Sequence, residues 1–90
     1  MVDPELFGAR LKLARVGRGW TQTELAARSM LAAANTICLY EQGRVLPVLD
    51  TAAMLAKALG VSLDWLTGID NYFVDKFKLE GIDDVGIKGL

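Results

Sequence analysis

"TQTELAARSMLAAANTICLYEQG", Thr21 to Gly43, decides how this chain folds. Its first four residues fit a capping box: the Thr21 hydroxyl caps a helix and Glu24 reaches back to the cap amide. Trp20, just before the cap, and Leu25, at the fourth helical position, suit a hydrophobic staple. A helix over residues 22–29 is expected, and a second over 33–40, closed by Gly43 after Glu41. Two short helices with a tight connection make a helix-turn-helix unit. The second helix is unusual, because it carries almost nothing polar before Tyr40 and Glu41.

Outward from this pair, more helices follow. Asp3 and Pro4 form a helix start: a capping oxygen, then the residue that loses nothing at the first helical position. Phe7, Leu11 and Ala14 recur at helical spacing, so helix 1 is read over 4–17. Lys12, Arg15 and Arg18 crowd its C-terminal half, where the helix dipole favours cations, and Gly17 and Gly19 stop it. "RVLP" is extended, since a residue before proline disfavours the α region. Helix 4, over 49–59, is expected to bury Leu49, Ala52, Ala53, Leu55, Ala56 and Leu59, and to end at Gly60. Ser62 caps a short fifth helix, "LDWLT", with Val61 and Leu66 as staple partners and Gly68 as its end.

The expected fold is therefore all-α: five helices in one domain over 1–68, followed by a tail over 69–90. In the tail, "NYFVDKFKLEG" fits a helix, with Phe73 and Phe77 at i and i+4, or a strand with Phe73, Asp75, Phe77 and Leu79 on one face. Tyr72, Phe73, Val74 and Phe77 are too many large apolar groups for a free end. They suit packing on helix 5 or on a second subunit of a homodimer.

Composition narrows the function. Ninety residues at 52% hydrophobic and 23% charged can form one packed core. The absence of histidine excludes histidine acid–base chemistry and histidine metal ligation. The single Cys38 cannot form an intrachain disulfide; it reads as a small buried hydrophobe, and a lone cysteine makes no zinc site. Asp83 and Asp84 lie in a Gly-rich tail and read as solvated rather than metal-binding. No enzyme and no cofactor is expected. The chain lacks any apolar run of about 18 residues, and "MVDPELFGARLK" lacks the basic start of a secretion signal. The expected location is cytoplasmic, with no membrane partner.

Net charge is −1, which argues against a purely electrostatic nucleic-acid binder. The charge is uneven, however. Residues 1–60 hold seven basic and five acidic side chains, and residues 61–90 hold three basic and six acidic.

"FGARLKLARVGRGWTQTELA", "TICLYEQGRVLP" and "TAAMLAKALGVSLDWLTG" together resemble the phage repressor and Cro class of helix-turn-helix regulators, over about residues 6–68. The resemblance rests on the combined spacing of Thr21-Gln22, Leu25-Ala26, Ile37, Glu41, Gly43, Pro47 and Leu59-Gly60-Val61-Ser62. It implies a dimeric regulator of transcription, repressor-like, bound to double-stranded DNA. It places Arg10 and Glu41 at an ion pair linking helix 1 to the end of helix 3, a geometry suited to a guanidinium fork and a carboxylate. It places Gln22, next to the Thr21 cap, at a phosphate or base contact; a solvated glutamine is the other reading. Arg44 is a phosphate contact or a solvated loop charge. Trp20, Ala26, Ile37, Leu55, Leu59 and Leu66 are core.

The stretch quoted first departs from that class. The class usually has a glycine between helices 2 and 3, and a polar start to helix 3. Here the glycine position holds Met30 or Leu31, and Thr21 to Ile37 is one residue longer than usual. Counting back from Ile37, the base-reading face is Ala33, Ala34, Asn35, Thr36 and Leu39. Asn35 alone can make the two-pronged contact to adenine. Two readings stay open. Helix 3 enters the major groove of DNA, or its apolar face, with Met30, Leu31, Leu39, Val45 and Leu46, contacts another protein such as a related repressor or a second copy.

Overall fold

Local chemistry sets the helix ends. In the computed structural model, which describes residues 1–69, α1 spans Pro4–Gly17, α2 Gln22–Ser29, α3 Ala34–Glu41, α4 Leu49–Leu59 and α5 Leu63–Thr67. The Asp3 carboxylate accepts from the Glu5 amide at 3.0 Å, with Pro4 opening α1. The capping box is complete: Thr21 Oγ1 accepts from the Glu24 amide at 3.1 Å, and Glu24 Oε1 accepts from the Thr21 amide at 3.0 Å. Ser62 Oγ accepts from the Trp65 amide at 3.0 Å. Helix 3 is shifted by one residue from expectation. Ala33 is extended (φ −89°, ψ 162°) and is the cap rather than the first turn, with no side-chain hydrogen bond.

The core is one cluster. Phe7 and Leu11 of α1, Leu25 of α2, Ile37 and Tyr40 of α3, Ala52, Leu55, Ala56 and Leu59 of α4 and Leu66 of α5 are buried, with Trp20 and Ala26 partly buried against them. The Phe7 and Tyr40 rings meet edge to face, centroids 6.5 Å apart. Burial pushes the Tyr40 phenol above its ordinary pKa and keeps it neutral. α1 packs on α3 and α5, α2 on α3 and α4, and α4 on α5.

Two expected core positions of α4 are corrected. Leu49 is 72% exposed and Ala53 is exposed, whereas Thr51 is buried. The inward stripe runs 51, 52, 55, 56, 59, and residue 53 falls beyond its edge. Leu49, at the first helical position, stands at the rim of a shallow groove lined also by Val2, Phe7, Leu46, Pro47 and Leu63.

Two backbone features decide how α3 is held. Gly8 lies where α1 crosses the end of α3. A Cβ there would stand 2.4 Å from the Tyr40 carbonyl oxygen and 2.7 Å from that of Glu41, so only glycine allows this approach. Met30 ends α2 in the left-handed conformation (φ 65°, ψ −5°), and its amide donates to the Ala26 carbonyl at 3.2 Å. It is the one non-glycine residue with positive φ among the described residues. Met30 therefore occupies the place where the resembling class uses glycine.

Candidate nucleic-acid interface

Helix α3 is clamped by one ionic junction. Arg15 of α1 forks onto Glu41, with Nε 2.6 Å from Oε2 and Nη2 3.0 Å from Oε1. Its Nη1 donates to the Trp20 carbonyl at 2.8 Å. Gln22 Nε2, at the first position of α2, donates to Glu41 Oε1 at 3.2 Å. The junction thus ties the end of α3 to α1 and to the start of α2. Both charged side chains are largely shielded, 12% exposed for Arg15 and 5% for Glu41. The hydrogen bonds that Arg15 donates to the Glu41 carboxylate raise the Arg15 pKa above its ordinary value against the opposing effect of burial.

This corrects the pairing expected from the sequence. Glu41 is met by Arg15, not by Arg10. Arg10 instead donates from Nη1 to the Trp65 carbonyl of α5, and its guanidinium lies 5.2 Å from the centroid of the Trp65 ring. Five positions apart on α1, the two arginines point about 140° from each other, one toward α3 and one toward α5.

On α3 the two faces are distinct. Ile37 and Tyr40 are buried. Ala33, Asn35 and Leu39 are exposed, Leu39 by 39%, while Ala34 and Thr36 are half-buried. Asn35 and Leu39, four residues apart, share one outward line, and Gln42, three further on, continues it. Gln42 is exposed and its Nε2 donates to Cys38 Sγ at 3.3 Å. Sequence reasoning passed over Gln42, although its spacing from Leu39 was the available signal. Cys38 is half-buried rather than buried.

At the start of α2, Thr21 is exposed with its hydroxyl engaged in the cap, and Gln22 is half-buried against Glu41. An amide side chain retains a second N–H and its oxygen beyond that one bond. Arg44 is exposed just after α3, its backbone amide bonded to the Leu39 carbonyl at 3.1 Å. Two other arginines gather at Trp20. Arg28 stacks 4.3 Å over Trp20, and Arg18 stands 5.8 Å from the same ring while its Nε donates to the Leu59 carbonyl at 3.0 Å. The turn before α3 is apolar, with Met30 80% and Leu31 52% exposed, and Val45 and Leu46, beyond the other end of α3, are exposed as well.

Among the described residues no group of histidine, cysteine, aspartate or glutamate side chains could hold a metal ion. Asp83, Asp84 and the tail aromatics lie outside the described residues. No described helix is long and apolar enough to cross a membrane.

Five helices with a clamped third helix whose outer face is open define a helix-turn-helix protein. The helix-turn-helix family model matches residues 11–66, so the chain belongs to that family, the XRE-type regulators of transcription. Among solved structures, the crystal structure of the hypothetical transcription factor NHTF from Neisseria is similar to this chain, with a TM-score of 0.67 and 29% sequence identity. The match covers 72% of this chain and 74% of that one. No curated protein matches the chain.

Proposed function

We propose that the chain is a cytoplasmic DNA-binding regulator of transcription, acting as a repressor and as a homodimer, with α3 in the major groove. The observation that supports this best is the Arg15–Glu41–Gln22 junction. It fixes α3 to α1 and α2 while Ala33, Asn35 and Leu39 face outward. A reader of base edges must be held rigidly by groups that do not themselves read, and this junction has that property. Thr21 and Gln22 at the start of α2 and Arg44 after α3 supply the flanking phosphate contacts. Two α3 helices related by a two-fold axis would meet half-sites about 34 Å apart.

A second reading has an observation of its own. α3 carries no cation, and Met30, Leu31, Leu39, Val45 and Leu46 are all exposed. Such a surface suits a protein partner, a related repressor or a second copy. Binding of the full chain to fragmented genomic DNA at 50 and 200 mM salt separates the two. The DNA reading predicts a steep fall in affinity with salt, and weakened base preference in Asn35→Ala. The protein reading predicts no DNA retention and a salt-tolerant complex broken by Leu39→Asp.

A further inference from the structure

We infer that the outward line of α3, with the exposed cap residue Ala33 before it, reads A·T base pairs, through adenine edges at Asn35 and thymine methyl groups at Leu39 and Ala33. The inference rests on the DNA-binding reading and adds the base composition of the site. It follows from which chemical groups α3 offers to a groove, and which it withholds.

In the major groove, guanine is distinguished best by a guanidinium or ammonium bonded to O6 and N7. Cytosine is distinguished by a carboxylate accepting from N4. α3 has no lysine or arginine, and its single carboxylate, Glu41, is turned inward onto Arg15 and Gln22. Neither G·C reader is therefore presented by this helix. What it does present is one free-standing amide, at Asn35, with the acceptor and donor that match adenine N6 and N7. On the same line is the apolar side chain of Leu39, and at the cap before the helix that of Ala33; both are exposed and match the one apolar feature of the groove, the thymine C5-methyl. Gln42 adds a second amide to the same line. From Asn35 to Gln42 the helix rises about 10 Å, or about three base-pair steps.

The thymine contacts have a consequence that hydrogen-bond readers lack. Uracil pairs like thymine but has no methyl group, so exchanging thymine for uracil removes only the apolar contact. One buried methyl group corresponds to about a fourfold change in affinity. One two-pronged adenine contact corresponds to roughly 5- to 150-fold.

The test uses the full chain and a random duplex library, followed by edited versions of the selected duplex. Selection is expected to enrich A·T pairs at the centre of each half-site. Thymine-to-uracil exchange at the read positions should weaken binding by about three- to fivefold per methyl. Leu39→Ala should lose most of that sensitivity. Replacing the contacted adenine with 7-deazaadenine should weaken the native chain and leave Asn35→Ala unaffected. Enrichment of a G·C core, or binding indifferent to both base edits, would overturn the inference and leave the DNA-binding reading standing. Absence of salt-sensitive binding to any duplex would remove both, and would turn the same face over to a protein partner.

Discussion

Replacing Met30 by glycine should make the domain more stable. Met30 holds φ at 65° at the end of α2. For a residue with a β-carbon this conformation costs about 1–2 kcal/mol. Glycine removes that penalty but is freer in the unfolded chain, which costs about 0.5–1 kcal/mol. The Met30 side chain is 80% exposed, so little packing is lost with it. The net expectation for Met30→Gly is a gain of about 0.5–1 kcal/mol. In a domain of this size that corresponds to a rise in Tm of about 3–6 °C. Met30→Ala is the control: it keeps the β-carbon, hence the strain, and should change Tm little. Thermal unfolding by circular dichroism, with urea titration to confirm an unchanged m-value, reads both variants. A glycine variant no more stable than the alanine variant would refute the argument, because their difference isolates the backbone.

Three further outcomes are expected. Gly8→Ala should lose about 2–3 kcal/mol in urea unfolding, since the added methyl meets two backbone carbonyls that cannot turn aside; a loss below about 0.5 kcal/mol would mean that α1 and α3 separate easily. Arg15→Ala should cost about 3 kcal/mol by leaving the shielded Glu41 carboxylate without its fork, and Arg15→Lys should restore only part of it; full restoration by lysine would contradict the two-pronged geometry. The Glu24 carboxylate is held below its usual pKa by the Thr21 amide and hydroxyl, so its contribution is complete above the ordinary glutamate value of about 4.3 and fades as pH falls through the lower folded value. The acid limb of a Tm-versus-pH curve should accordingly flatten in Glu24→Gln, and identical limbs in the two proteins would contradict this.

Helix positions were legible because their signals are local. Asp3-Pro4, the Thr21–Glu24 box and Ser62 each act within one turn, and α1, α2 and α5 lie where those residues put them, while α4, whose cap Val48 makes no side-chain hydrogen bond, follows its apolar spacing up to Gly60. Even the missing glycine was legible as a question, which the backbone answers at Met30. What could not be read was the facing of one helix toward another. Arg10 and Arg15 lie on the same helix with similar neighbours, and only the packing of α1 decides which meets Glu41. Leu49 is equally ambiguous, an apolar residue whose exposure depends on what lies across from the first turn of α4. Gly8 carried a usable signal, a glycine inside an otherwise regular helical pattern, but its reason is a contact 32 residues away. On α3, the burial of Ile37 made the outward register readable, whereas the half-burial of Ala34 and Thr36 depends on tertiary neighbours.

The division of α3 into two sets of residues bears on how such a protein changes over generations. Gly8, Ile37, Tyr40 and Glu41 hold the rod, and the side chains of Asn35 and Leu39 stand exposed on its other face. On the proposed reading, the second set can be rewritten without disturbing the first, so a new target requires neither a new fold nor a stabilising companion change. If α3 reads DNA as proposed, inheritance can act on the text it reads while leaving the instrument that holds it untouched.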